Sequence, residues 1–411
     1  RSVVLMTCLR ALAMLLLCSA CTDRLEVLSP DSTGSAVRPD AGSCVCEVPE
    51  LCAVDHCVNS SGITRLGVGY RHVCRVADGE LACWGENRAA QLGLRDTLQH
   101  DSPTRVGDEA SWLDVSAAEE HTCAILSPGQ LWCWGQNASG QLGTGGTASR
   151  NTPQRIAGFD DFERVFVGGD SSCALRAGGA LYCWGASGQL IGGTGDVLTL
   201  EIVDKPIEVL PGSRFKDVSL GAAHVCGIRV DGTLWCWGQN NEGQLGLGMT
   251  SEMARQPTQL PRNNWQQVAA GQHHTCAVRG EGQLFCWGRG DTFELGLGTN
   301  MRRANSPQRV GEDSDWQAVA VGGAHTCALK RNRRLFCWGR NSEGQVGVTA
   351  SEPIANPTQI DAASRYMKVS LGAQHSCALN TGQSLYCWGS NEEGQLGLGD
   401  RMSRYQPVLV E

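Results

Sequence analysis

Seven times the chain places two cysteines nine or ten residues apart and runs the second straight into Trp-Gly. The pairs are Cys74 and Cys83, Cys123 and Cys133, Cys173 and Cys183, Cys226 and Cys236, Cys276 and Cys286, Cys327 and Cys337, and Cys377 and Cys387. A histidine stands two residues before the first cysteine at His72, His121, His224, His274, His325 and His375, with Ser171 in the third copy. Thiols and imidazoles at fixed spacing can bind a metal, and thiols can also oxidise in pairs. The turn between the cysteines favours oxidation. In the first copy Asp78-Gly79 lies midway as a two-residue type I′ turn, and in the other six the spacing of ten fits a three-residue loop with a glycine bulge. Both set the cysteines directly opposite each other, and a non-hydrogen-bonded antiparallel pair brings Cα atoms to about 4.5 Å, within disulfide range. One cross-strand disulfide per copy is expected, worth about 2–3 kcal/mol for a loop of about ten residues. The histidines share a strand face with the cysteines. A residue that recurs once per copy is expected to serve the repeat, by bonding a neighbouring loop, rather than to hold a metal. A separate cluster, Cys44, Cys46, Cys52 and Cys57 beside His56, could be read as a zinc site, but two disulfides among the four are the expected use outside the cytoplasm.

These pairs need strands to hold them. Cys-Trp-Gly recurs at intervals of 50, 50, 53, 50, 51 and 50 residues, and a fuller pattern surrounds it, seen in WQQVAAGQHHTCAVRGEGQLFCWGRGDTFELGLG at 265–298. Each copy offers four short strands bounded by Gly, Pro or Asn, and no stretch has sustained helical periodicity. The 52 glycines and 12 tryptophans, with only 18% charged residues, agree with a turn-rich β protein. Four strands in each of seven copies over 62–411 predict an all-β, seven-bladed β-propeller with four-stranded blades. The tryptophans from Trp84 to Trp388 are expected to pack between blades, and the Gln and Gly of GQLG to form turns.

The combination of GxxHTCAL, LxCWG, NxxGQLG and a proline-led strand resembles the regulator of chromosome condensation repeat over about 85% of the chain. The resemblance implies a seven-bladed propeller. It also implies a blade completed from both chain ends, which suits the strand halves at 62–76 and 387–411. Functions known in that family include nucleotide exchange on the small GTPase Ran, ultraviolet reception in plants and inhibition of β-lactamases by a secreted bacterial protein; no residue here carries any of them over.

The first twenty residues read as a signal peptide, with Arg10 followed by the apolar run ALAMLLLCSA, too short for a membrane span. LLLCSAC resembles a bacterial lipobox with Cys21 as the lipidated residue, although Cys18 stands where leucine is usual; a plain signal cleaved after Ala20 is the other reading. Residues 21–43 then form a flexible linker and 44–61 a small cysteine-rich cap. This expectation places the protein outside the cytoplasm, lipid-anchored in a bacterial envelope at the outer membrane, or secreted. Eighteen cysteines remain after Cys8, Cys18 and Cys21, an even number suited to an oxidising compartment. The net charge of −8 becomes −10 without the leader, which argues against nucleic acid.

No nucleophile elbow, phosphate loop, zincin motif or calcium loop occurs, so the chain is read as a monomeric binding protein, not an enzyme, without a cofactor or metal. Its partner is expected to be a protein, met through loops on one propeller face. Inhibition of a secreted enzyme and binding of a cell-wall carbohydrate are the alternatives. Candidate contacts are the positions that break the repeat: the hairpin tip with Lys330, Arg331, Arg333 and Arg334, the segment with Asp291, Phe293 and Glu294, and residues 191–201. From 279 to 340 there are ten basic and six acidic residues, which would suit an acidic protein, lipopolysaccharide or a lipid head group. Arg302 and Arg303, in a connection between third and fourth strands, are expected on the opposite face.

Overall fold

The computed structural model describes residues 62–186, 202–298 and 301–410. Cys21, the cap cysteines and the 191–201 segment lie outside the described residues. Within them every regular element is a strand, arranged as seven four-stranded antiparallel sheets. Blade 1 comprises β1 (Ile63–Val68), β2 (His72–Ala77), β3 (Glu80–Gly85) and β4 (His100–Arg105), in that spatial order. The other six repeat it, with innermost strands Trp112–Ala117, Phe162–Gly168, Phe215–Leu220, Trp265–Ala270, Trp316–Val321 and Tyr366–Leu371. Ends of these innermost strands from all seven blades border one central cavity, which fixes the propeller.

Blade closure differs from the expectation. Each blade is one uninterrupted stretch of sequence, and blade 7 (366–410) takes no strand from the start of the propeller. The physical reason is local pairing. β1 already finds its partner in β2, and Arg404–Val410 pairs with Leu385–Gly389, so neither end is left needing the other. The ring closes side by side: Ala373 N donates to Tyr70 O at 3.2 Å, and Trp84 Nε1 to Gln395 O at 3.0 Å.

The turn chemistry holds the middle hairpins in register. Asp78 (φ 52°) and Gly79 (φ 78°) are both left-handed, as a type I′ turn requires, and Cys74 faces Cys83. In blades 6 and 7 the left-handed turn position belongs to Arg333 (φ 65°) and Gln383 (φ 63°) rather than to glycine. All seven expected disulfides of the blades are formed, with Cα separations of 4.0–4.2 Å. The cystines are buried and pack across blades: Cys74 and Cys83 share a core with Trp112 and Trp134 of blade 2, and Cys327 and Cys337 with Tyr366 and Trp388 of blade 7. A tryptophan buried this way hides roughly 200 Å², about 5 kcal/mol of hydrophobic free energy.

Candidate interaction surface

The recurring polar residues are used up between blades. His72 Nε2 lies 2.9 Å from Thr122 Oγ1 of the next blade, and that hydroxyl donates its only hydrogen to Gln91 O at 2.8 Å. Nε2 therefore carries the proton and donates, which leaves Nδ1 a bare, unpartnered acceptor. Trp134 Nε1 donates to the same Gln91 carbonyl at 2.9 Å. The triad recurs at His121 with Ser172, His224 with Thr275, His274 with Thr326 and His325 with Ser376, joined in each case by the next tryptophan. Gly93 closes the turn beneath it at φ 73°, where a Cβ would stand 2.7 Å from Trp134 Nε1. Burial lowers all six recurring histidines to about 3. They are neutral, five of the six link neighbouring blades, and among the described residues no three His, Cys, Asp or Glu converge on a metal position.

Two seams depart from the pattern. Blade 4 carries Val225 where a hydroxyl is usual, and the preceding blade carries Ser171 in place of histidine, so both residues change and one small hydroxyl, Ser171 Oγ, is left buried without a partner. At the ring-closing seam only one partner changed. Blade 1 carries Val73, yet His375 remains, buried, with neither ring nitrogen bonded. Val73→Thr is expected to supply the missing hydroxyl and raise stability by about 1 kcal/mol, measured as a higher midpoint of thermal unfolding. An unchanged or lower midpoint would show that His375 does not need the bond.

Strand direction sorts the loops onto two faces. The tips joining second to third strands, and the connections from each outermost strand to the next blade, lie on one face; the remaining loops lie on the other. Residues 330–334 are thus on the tip face, while Asp291, Phe293 and Glu294, with Arg302 and Arg303, are on the opposite face. The two groups of candidate contacts do not form one site.

The candidates also differ in availability. Lys330 is not a free cation: it lies 2.7 Å from Asp313 and 3.0 Å from Asp315, over the rings of Trp316 and Phe336. Glu294 is a correction as well. It fills the Gln position of GQLG, is buried, accepts from Thr292 N at 2.7 Å and offers its carbonyl to Trp338. Asp291 pairs with Arg289 at 2.9 Å, and half-buried Phe293 takes the left-handed glycine position of its turn (φ 63°). Arg331 donates to the Glu281 carbonyl, and neither it nor Arg333 nor Arg334 has an acidic partner among the described residues. Arg365 adjoins them, since Arg333 O accepts from Tyr366 N at 2.8 Å.

Sequence reasoning missed the channel. The third residue of each innermost strand, counted from the tip face, is Arg65, Asp114, Arg164, Asp217, Gln267, Ala318 and Lys368 in blade order. Each innermost strand is an edge whose inward amides need acceptors. Asp114 Oδ2 accepts from Val165 N and Asp217 Oδ2 from Val268 N, both at 3.0 Å, and Gln267 Oε1 accepts from Val319 N at 2.7 Å. Arg65 lies 3.3 Å from Asp114, and Arg164 3.2 Å from Asp217. Lys368 has no ion pair among the described residues; burial, with repulsion from Arg65 and Arg164 and against the pull of Asp114, lowers its amine to about 8. At the other end the channel narrows to a cavity of about 130 Å³ lined by apolar side chains such as Val68, Leu220 and Leu371. There, backbone bonds such as Tyr70 N to Ala118 O at 2.9 Å tie neighbouring blades.

Comparison with known proteins fits this architecture. Residues 199–411, just over half of the chain, match the profile of the RCC1-like domain. The chain belongs to the RCC1-like family. Residues 78–125 and 128–175 of this RCC1-like propeller also match the regulator of chromosome condensation (RCC1) repeat. It is 34% identical over 305 residues to the ultraviolet-B receptor UVR8 of Arabidopsis thaliana, covering 73% of this chain and 58% of the receptor. It is 30% identical over 158 residues to the probable E3 ubiquitin-protein ligase HERC3 of Homo sapiens, 38% of this chain and 10% of that protein. The chain therefore spans 58% and 10% of these relatives' lengths. Prp20p from Saccharomyces cerevisiae superposes with a TM-score of 0.71 at 21% identity, over 80% of this chain and 85% of Prp20p. Human WBSCR16 gives 0.72 at 21%, over 81% and 94% of the two chains. These two share the fold of the RCC1-like propeller.

Proposed function

We propose that this protein is an extracytoplasmic, membrane-anchored RCC1-like propeller that binds a protein partner through one face. The observation that carries the reading is the cystine in every blade, since stable disulfides in such number belong to oxidising compartments. The leader-like run ending at Cys21, the linker at 21–43 and the cap at 44–61 support the same compartment, with Cys21 as the lipid carrier. A protein partner is supported by the family: Prp20p is described by its binding to Gsp1p and histones, and yeast RCC1 has been seen bound to Kap60. Binding without catalysis completes the reading.

The test is non-reducing peptide mapping by mass spectrometry of protein taken from its native membrane. Acylated Cys21, seven blade cystines and bridges among Cys44, Cys46, Cys52 and Cys57 are the expected result. Free thiols and an unprocessed leader would overturn the compartment. Cross-linking in intact cells then identifies the partner, and recovery of glycan alone would replace the protein reading with the carbohydrate one.

A further inference from the structure

We propose that the tip-face mouth of the channel, in the sector of blades 6, 7 and 1, is a receptor for a carboxylate side chain carried on an acidic segment of a partner protein. The inference rests on the reading that this propeller binds a protein, and names where and by what chemistry. The ring at the mouth is unequal. Its carboxylates are already engaged, Asp114 by Arg65 and Val165 N, and Asp217 by Arg164 and Val268 N. Three cations face those two carboxylates, and Lys368 is the cation left over.

Backbone geometry supplies a second donor in the same sector. In blades 2, 4 and 5 the third-position side chain accepts from the next blade's inward amide; Ala318 brings no acceptor to the corresponding amide of Val369. Val369 pairs opposite Ala378 in the register in which Val165 pairs opposite Ala174, so its amide likewise turns toward the channel. An incoming carboxylate would take the place that the Asp114 carboxylate takes in blade 2, with an amide on one oxygen and an ammonium on the other. Such charge-assisted bonds are the strong class.

The approach to this point is cationic. Arg331, Arg333 and Arg334 project from the blade 6 tip on the same face, Arg365 adjoins them, and Arg65 stands across the seam. In a chain of net charge −8 that sector favours an acidic partner by steering as well as by contact. A single carboxylate among extended backbone contacts fits a peptide better than a sulfated glycan, whose charges are many and spread.

The test uses the oxidised full chain and a fluorescein-labelled hexaglutamate peptide, followed by anisotropy. Wild type is expected to bind and to weaken with salt, and Lys368→Met to bind about tenfold more weakly or worse at an unchanged thermal midpoint. If Lys368→Met does not fold, the exposed pair Arg331→Glu and Arg334→Glu replaces it with the same expected loss. Carbodiimide coupling gives a readout on wild type alone: of the four lysines, Lys205, Lys216, Lys330 and Lys368, the peptide should be joined to Lys368. No binding, coupling at Lys205 or Lys216 with Lys368 free, or an equal affinity of the variants would overturn the proposal. Heparin bound more tightly than hexaglutamate with the same dependence on Lys368 would overturn it in favour of a glycan. None of these outcomes alters the anchoring and partner tests above, so the two readings fail separately.

Discussion

Full reduction is expected to unfold the propeller. Each blade cystine closes a loop of about ten residues, worth about 2–3 kcal/mol, so seven amount to roughly 15–20 kcal/mol if additive. Domain stabilities are usually about 5–15 kcal/mol. The cystines are buried against the next blade's tryptophan, so two thiols in place of each bridge also disturb the inter-blade core. Thermal unfolding followed by tryptophan fluorescence, with and without a phosphine reductant, should show the transition lost or lowered by tens of degrees. A single variant, Cys276→Ala with Cys286→Ala, should cost about 2–3 kcal/mol and remain folded. A fully reduced chain melting within a few degrees of the oxidised one would show that the bridges are incidental to stability.

Acid should unfold the protein even with every disulfide intact. The six recurring histidines titrate near 3 when folded because burial penalises the imidazolium, against about 6.5 in an unfolded chain. The unfolded state therefore binds protons first. The stability at stake is complete above about pH 6.5 and is lost as pH falls toward 3, at up to about 1.4 kcal/mol per pH unit for each histidine. Buried Asp114 and Asp217 work in the opposite sense, since burial raises their carboxyls and protonation favours the folded form. Glu86, Glu119 and Asp170 lean the same way but reach solvent. Six fully enclosed imidazoles outweigh them, and a cooperative transition is expected between about pH 5 and 4, with uptake of about six protons. Circular dichroism with potentiometric titration measures both quantities; a native spectrum at pH 4 would refute the buried neutral ring.

Much of this architecture was legible because its signals are local. Asp78-Gly79 between Cys74 and Cys83 defines a hairpin and its register within ten residues, and repetition multiplies the evidence. The inter-blade role of Trp84 through Trp388 follows from their recurrence. What escaped depends on neighbours far apart in sequence. Lys330 looked like a free cation because its acids, Asp313 and Asp315, belong to the connection that precedes the blade. Glu294 looked like a break in the repeat because its charge hid a geometric equivalence to glutamine. The channel ring has no motif, since R, D, R, D, Q, A and K share neither charge nor size. It emerges when the seven innermost strands are aligned and the third position, which precedes Leu66 in blade 1 and a valine in every other blade, is asked where it points. Blade closure was undecidable from composition, because both strand pairings use the same residues.

The uninterrupted blades bear on how such a molecule can change over generations. Each blade is one continuous stretch of about forty-five residues, and outer strands reach the next inner strand through five or six residues, as from Arg105 to Trp112. A single duplication or deletion of coding sequence would add or remove a whole blade with its cystine, its tryptophan and its turn, leaving every other hairpin intact. A linker of that same length from Val410 to Ile63 would repeat the existing junctions, so new termini could be opened between any two blades without severing a sheet. The unit of inheritance and the unit of folding coincide, and two seams bear marks of their own, where Ser171 meets Val225 and where His375 meets Val73.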